Sequence, residues 1–209
     1  MAPLLQIVGL QVERADQLIL RGVSLSLEAG EILLIVGGPG SGKTALAEAL
    51  LGLPPARLTG GSIVFRGADL EGVAPFQRAR KGIFLGFQAP PVLPGVALGD
   101  LTRAQTAAIP GARQSLRERR ARFGVDEELA CADARCRGEL LQLACWTPSL
   151  VVLDVLGPGL SPATLTLAGQ AAAEAAAAGA GVLLLAVPEA VPPGLPRHRA
   201  ARLEDGRLC

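Results

Sequence analysis

The sequence predicts an α/β domain with a mixed sheet, in which a parallel core is combined with an antiparallel β-meander. Residues 31–36 form an apolar run that enters a glycine-rich loop, and a helical apolar pattern follows at 45–51. Two further apolar runs, at 150–154 and 182–187, are separated by a long alanine-rich segment typical of a helix. Residues 5–12 and 17–27 instead alternate apolar and polar side chains, with turn residues between the two segments, which indicates antiparallel strands with one buried face.

The glycine-rich loop fits the pattern G-x-x-x-x-G-K-[ST] over residues 37–44. Its glycines let successive backbone N–H groups turn inward as a nest for phosphate oxygens, and the following helix directs its positive end at the same anion. Lys43 would contact the terminal phosphates, and the hydroxyl of Thr44 would ligate Mg²⁺. We therefore expect a nucleotide-binding site formed by Gly37, Gly38, Pro39, Gly40, Ser41, Gly42, Lys43, Thr44 and Ala45.

A change of pattern marks the middle of the chain. Glycines 60 and 61 are expected to open a strand at 62–65, and residues 75–81 can form a short helix before an apolar run at 82–87. From residue 88 the sequence becomes rich in arginine and is interrupted by prolines. We expect a short helical subdomain inserted at roughly 89–138, within a single domain that spans 1–209.

The last third of the chain returns to alternating helices and strands. Residues 139–146 are typical of a buried helix that precedes the strand at 150–154. Pro162 suits the first turn of the long helix, and Gly179 suits its end. Residues 201–209 predict a hairpin around the Asp-Gly pair at 205–206.

Composition excludes several classes of function. The net charge of +1 gives no electrostatic reason for binding nucleic acid or an anionic membrane. The N-terminal residues lack the charged region and cleavage site of a signal peptide, and Asp154, Pro158 and Pro188 interrupt the longest apolar runs. We expect a cytoplasmic protein without a nucleic-acid partner and without direct membrane insertion.

The cysteines do not form a metal-binding pattern. The chain has a single histidine and no C-x₂-C pair, so a tetrahedral zinc site is not expected. We expect buried, reduced thiols at all four positions, Cys131, Cys136, Cys145 and Cys209.

The order of these elements resembles that of the ABC-type ATPases over nearly the whole chain. Within that family it is most similar to the SufC-like subunits of the SUF iron–sulfur cluster assembly machinery, through the Phe-Gln, Pro and Pro-Gly-Val sequences of residues 80–96. Residues 59–61 and 141–144 add weaker support. The resemblance implies a P-loop NTPase fold of ABC type with ATP and Mg²⁺ as cofactors. It also implies a SufB/SufD-like scaffold or a catalytically complete ABC subunit as partner, in a homo- or heterodimer.

The resemblance assigns roles to two further residues. Gln88 matches the Q-loop glutamine, which contacts Mg²⁺ or its water, and Asp154 matches the Walker B carboxylate that holds Mg²⁺ through water. The implied metal site is Thr44, Gln88 and Asp154. As an isolated residue, Asp154 could instead cap the turn that follows its strand.

Several positions depart from the family. Val155 stands where the family has the general-base glutamate, and Val187 stands where it has the switch histidine. Glu189 is a candidate substitute base that nothing in the sequence positions, and His198 is expected on the surface. No catalytic residue is therefore intact.

The family's signature sequence, Ser-Gly-Gly-Glu, is also unrecognisable. It would fall on residues 131–134 or, with a deletion, on 136–139, and neither has the serine and paired glycines. The D-loop position at 159–161 has serine in place of aspartate, and the upstream aromatic that stacks on adenine has no counterpart.

Two hypotheses follow from this combination of retained and missing groups. The first is an ATP-binding subunit with little hydrolysis that regulates a SUF-like assembly. The second is a working ATPase whose missing groups come from a partner chain, with an ABC transporter subunit as a weaker variant. The arginine-rich run at 113–122 fits either a solvated helical face or a partner contact.

Overall fold

The computed structural model describes residues 2–87, 100, 122–124 and 132–209. Gln88, Cys131, residues 88–96 and most of the expected helical insertion at 89–138 lie outside these residues, as does the arginine-rich run at 113–122 apart from its last residue.

In chain order, the described elements are β1 (Leu5–Arg14), β2 (Gln17–Leu27), β3 (Ile32–Val36), α1 (Lys43–Leu51), β4 (Arg57–Phe65), β5 (Ala68–Asp69), α2 (Pro75–Arg80), β6 (Ile83–Gly86), α3 (Ala132–Ala144), β7 (Leu150–Leu156), α4 (Pro162–Ala177), β8 (Gly181–Ala186), a 3₁₀ turn (Pro188–Ala190), β9 (Arg199–Glu204) and β10 (Arg207–Leu208). None of the helices in the described part of the chain is long and apolar enough to cross a membrane.

The strands form two sheets, which confirms the mixed α/β fold. An antiparallel sheet has the order β2-β1-β4-β5, and a six-stranded sheet has the order β10-β9-β3-β8-β7-β6. Strands β9, β3, β8, β7 and β6 pair in parallel, and β10 pairs antiparallel with β9.

Helix α1 packs between the two sheets. Leu46 and Leu50 are fully buried in a core that also contains Ile7 of the antiparallel sheet and Ile35 of the parallel sheet. Leu34, which precedes Ile35 in β3, belongs to a second core on the other face of the parallel sheet. Residues of helices α3 and α4 complete that core. Strands buried on both faces need apolar side chains at every position, which explains why they read as continuous apolar runs.

Two predicted boundaries are wrong. Strand β4 begins at Arg57, because Gly61 lies inside the strand at a register shift rather than before it. Gly61 has φ +80°, and a Cβ there would overlap the backbone carbonyl of Val8 on β1. Helix α3 begins at Ala132, so the helix predicted at 139–146 is the last part of a longer one that extends into the region expected to be the insertion.

A buried arginine joins α2 to the end of α1. Arg78 is 6% exposed and donates hydrogen bonds to the carbonyl oxygens of Ala49 (2.8 Å), Leu50 (2.9 Å), Leu70 (2.6 Å) and Val73 (2.9 Å). The last carbonyls of a helix lack partners within it and carry partial negative charge, so a guanidinium there both satisfies and neutralises them.

The predicted hairpin at the end of β9 is present, and it contacts the glycine-rich loop. Asp205 and Gly206 both have positive φ, as a two-residue hairpin turn requires. The N–H of Gly206 donates to the carbonyl of Ser41 (3.2 Å), and its carbonyl accepts from the N–H of Arg21 (2.8 Å). A Cβ at position 206 would overlap the carbonyl of Ile19, so only glycine allows this approach.

The prediction for the cysteines is only partly correct. Cys136 and Cys145 are buried, as expected. Cys209 is exposed at the end of the short edge strand β10, so the expectation of a buried thiol is wrong there.

Candidate nucleotide-binding site

The glycine-rich loop connects the end of β3 to the start of α1. Gly40 (φ +77°) and Gly42 (φ +107°) adopt the left-handed conformation that favours glycine. A Cβ on Gly37 would lie 2.5 Å from both the carbonyl oxygen of Leu203 and the Oγ of Ser41. The loop thus depends on glycine at these three positions, and its backbone runs directly into the N-terminus of a helix, the arrangement that binds anions.

Lys43 folds back across the loop. Its Nζ donates to the carbonyl oxygens of Gly37 (2.6 Å) and Gly38 (2.9 Å) and to the Oγ of Ser41 (3.3 Å). Partial burial lowers its pKa, and the nearby carboxylate of Asp154 opposes that shift. A phosphate bound in the loop would offer charged acceptors in place of these neutral carbonyls, so the ammonium group would bind it preferentially.

Asp154 and Thr44 come together at the base of the site. The hydroxyl of Thr44 donates to the carboxylate of Asp154, which is 7% exposed. Burial raises the pKa of Asp154 to about 6, although Thr44 and Lys43 act in the opposite direction. Asp154 lies within β7 rather than at its end, so the alternative that it caps the following turn does not apply. A hydroxyl and a carboxylate in contact are suitable oxygen ligands for Mg²⁺, the first directly and the second through water.

These groups line one cavity of about 370 Å³. The residues around it come from the glycine-rich loop, the end of β7, the segment after β8, and the first two strands: Arg14, Ile19, Pro39, Gly40, Ser41, Gly42, Lys43, Thr44, Ala45, Asp154, Leu156, Gly157, Pro158 and Val187. Of the predicted loop residues, Gly37 and Gly38 do not line the cavity, and their carbonyls accept hydrogen bonds from Lys43.

Apart from Asp154 itself, the described residues that line the cavity include no group that could serve as a general base. Val187 is buried and lines the cavity, and Val155 follows Asp154 within β7. Glu189 is exposed on the 3₁₀ turn and does not line the cavity. His198 is exposed, as expected, and its Nδ1 lies 2.8 Å from the carbonyl of Pro196.

Both sequence positions weighed for the missing signature fall on α3, as far as the structure describes them. Residues 136–139 lie inside α3, with Cys136 and Glu139 buried, so that stretch is part of a packed helix. Glu139 is 4% exposed and accepts a hydrogen bond from the backbone N–H of Phe87. Burial raises the pKa of Glu139 to about 7. At the D-loop position, Ser161 caps the start of α4 by accepting from the N–H of Thr164 (3.3 Å).

Sequence reasoning missed an ion pair at the edge of the site. Arg14, the last residue of β1, lines the cavity, and its guanidinium lies 3.3 Å from Glu48 Oε1. Glu48 is four residues after Thr44 in α1, so both lie on the same face of the helix. That spacing was the available signal, but it gives no indication that β1 supplies the partner.

A P-loop nucleotide-binding fold of the α/β class is therefore in place, and comparisons with known proteins identify its family. The family model described as "ABC transporter" matches residues 20–154, which is more than half of the chain. The chain belongs to the ABC transporter ATP-binding family.

Two curated relatives illustrate the similarity. The probable ATP-dependent transporter SufC of Escherichia coli is 34% identical over 176 residues, which cover 75% of this chain and 71% of the relative. The probable ATP-dependent transporter slr0075 of Synechocystis is 31% identical over 181 residues, which cover 73% of this chain and 67% of the relative.

Solved structures confirm the ABC fold. A nucleotide-free ATP-binding cassette from an ABC transporter aligns with a TM-score of 0.73 at 18% identity, over 99% of this chain and 90% of that one. The cassette MJ1267 aligns with a TM-score of 0.75 at 17% identity, over 100% of this chain and 90% of that one. At these identities the similarity supports the fold alone.

Proposed function

We propose that this chain is an ATP-binding subunit of a SufC-like iron–sulfur cluster assembly complex, and that it binds Mg-ATP but hydrolyses it slowly or not at all. The observation that supports this is that one cavity keeps the groups that bind nucleotide but lacks those that catalyse hydrolysis. The phosphate loop, Lys43 and the Thr44–Asp154 pair are retained, whereas Val187 lines the same cavity and Val155 follows Asp154.

The missing groups should reduce the rate of ATP hydrolysis much more than the affinity for ATP. A positioned general base contributes roughly 10²–10⁴ in rate, and the loss of one preorganised transition-state donor costs about 10²–10³. These losses do not add, but a valine side chain can neither accept a proton nor donate a hydrogen bond. Binding depends instead on backbone N–H groups, one ammonium group and the metal ligands, which this chain keeps.

The iron–sulfur part of the proposal rests on similarity. It is supported by the 34% identity to E. coli SufC and by the sequence of residues 80–96. The expected partner is a SufB/SufD-like scaffold or a catalytically complete ABC subunit, in a homo- or heterodimer, and the proposal implies a cytoplasmic protein.

A second candidate, an ATP-binding subunit of an ABC transporter, is favoured by the relatives themselves, which are described as probable ATP-dependent transporters. Affinity purification of the full chain from its own cells separates the two. Co-purification of a SufB/SufD-like scaffold supports the first candidate, and co-purification of a membrane permease supports the second.

Nucleotide binding is tested by calorimetry with Mg-ATP. Lys43→Ala removes a charged contact to phosphate, worth about 1.5–3 kcal/mol, and should lower affinity roughly tenfold to hundredfold. The control is Lys81→Ala, which removes the other of the two lysines in the chain at an exposed site. Equal affinity in the wild type and Lys43→Ala would contradict the proposed role of the loop.

Turnover is tested on the purified chain, alone and with its partner. We expect ATP hydrolysis barely above background for the wild type, and no normal ATPase from Val155→Glu, because the switch residue and the signature would still be missing. Robust wild-type turnover that Lys43→Ala abolishes would overturn the proposal of slow hydrolysis. Turnover only with a partner would favour the hypothesis that the partner completes the site.

A further inference from the structure

The cavity has a wall that the phosphate-binding elements do not supply. Arg14 and Ile19 flank the turn between β1 and β2, and both line the cavity together with the glycine-rich loop. Ile19 also approaches the loop closely, since a Cβ on Gly42 would lie 3.5 Å from its Cγ2. The β1–β2 turn therefore forms the side of the cavity against which the rest of a bound nucleotide would lie.

Arg14 is held in a defined orientation by α1. Its Nη2 lies 3.3 Å from Oε1 of Glu48, and the side chains are 43% and 14% exposed. The other carboxylate oxygen of Glu48 is buried and has no hydrogen-bond partner among the described residues. The carboxylate of Glu48 is therefore mostly buried, and its one ion pair within the described part of the chain is the contact with Arg14, whose charge it partly offsets. A guanidinium fixed at one edge leaves its flat faces available.

A flat side chain that stacks on the base adds to the affinity of a bound nucleotide. No aromatic ring is found among the described residues that line the cavity, and Arg14 is the only guanidinium there. Guanidinium planes stack on aromatic faces, and stacking is largely independent of which base is present. The phosphates already have the loop and Lys43. A guanidinium paired with a carboxylate is less attractive to phosphate but keeps its stacking surface.

We propose that Arg14, held by Glu48, is the residue that stacks on the base of the bound nucleotide, with Ile19 contacting the ligand beside it. This rests on the proposed nucleotide binding and adds the base-side contact to it. Because a planar cation reads no hydrogen-bond pattern on the base, the site should accept ATP and GTP with similar affinity.

The test compares a ligand that has a base with one that does not. Affinities for Mg-ATP and Mg-tripolyphosphate are measured by calorimetry for the wild type, Arg14→Ala, Arg14→Lys and Arg14→Tyr. The control is Arg197→Ala, which removes an exposed arginine that does not line the cavity. Lys43→Ala serves as the reference for a phosphate contact.

Arg14→Ala should weaken ATP about five- to thirtyfold and leave tripolyphosphate within about twofold of wild type. Arg14→Lys keeps the charge but not the plane and should behave like Arg14→Ala, whereas Arg14→Tyr should restore ATP affinity. Unchanged tripolyphosphate binding also shows that a variant is folded.

Four results would overturn the inference. Equal loss of both ligands in folded Arg14→Ala and Arg14→Lys would make Arg14 a phosphate contact. Full ATP affinity in Arg14→Lys would show that only charge matters, and full affinity in Arg14→Ala would show that no contact exists. If the wild type binds tripolyphosphate and ATP equally tightly, base stacking is absent while the phosphate site stands. If it binds neither, the proposed function itself fails.

Discussion

Glu139 offers the sharpest test of the described packing. Its carboxyl lies on α3, almost fully buried, and accepts a hydrogen bond from the backbone of Phe87 just ahead of the expected Q-loop. Glu139→Gln keeps the shape and an oxygen that can accept the same hydrogen bond, but it removes the ionisable group. The substitution should therefore stabilise the protein at high pH and have a smaller effect at low pH.

The magnitude follows from the pKa of Glu139. The pKa is raised from 4.5 to about 7, because burial disfavours the charged form. Below pH 4.5 the carboxyl is protonated in both the folded and the unfolded chain and costs nothing. Between pH 4.5 and 7 the unfolded chain releases the proton more readily, so folding stability falls as pH rises. Above pH 7 the full cost, about 3 kcal/mol, is present.

Urea unfolding of wild type and Glu139→Gln at pH 5 and pH 8 measures this directly. The stabilisation by the amide should be about 2–3 kcal/mol larger at pH 8 than at pH 5. Glu71→Gln, at an exposed position, reports the effect of the chemical change alone. A gain for Glu139→Gln that is the same at both pH values would refute the argument, because it would mean that the buried carboxyl does not titrate in this window.

Three further substitutions test other contacts, each by urea unfolding. Arg78→Met should cost about 3–5 kcal/mol, because it removes four hydrogen bonds to carbonyl oxygens, three of them buried, whereas the exposed Arg80→Met should cost little. Gly206→Ala should cost about 3 kcal/mol or more through overlap with a β2 carbonyl, and Gly194→Ala, which has a similar φ of +67° but open space, about 1 kcal/mol. Ser161→Ala should cost about 1 kcal/mol by removing the cap of α4.

The parts of the fold that the sequence predicted well are those that depend on local patterns. Strands β3 and β8 are apolar at every position because both faces are buried, so their sequences show it directly. The phosphate loop was predictable because its glycines, Lys43 and Thr44 act through fixed spacing. The hairpin turn was predictable for a similar reason, since Asp205-Gly206 suits positive φ at both residues.

The parts that were not predicted depend on partners far away in the chain. Arg78 has the sequence context of a surface helix, and only the end of α1 makes it a buried cap. Arg14 pairs with Glu48 across two elements, and no periodicity connects them. The sequence predicts that Gly61 opens the strand, although the close approach of β1 requires glycine inside it.

The contact between the hairpin and the phosphate loop also governs the order in which the site can be assembled during synthesis. The ribosome produces the loop early, but both sheet neighbours of β3, which are β8 and β9, come from the last third of the sequence. The donor to the carbonyl of Ser41, the N–H of Gly206, is made later still. A nascent chain that has emerged only as far as α3 has the phosphate-binding sequence without the strands that shape it. The nucleotide site is therefore among the last features to be completed, and truncation before β9 should remove it while leaving the loop sequence intact.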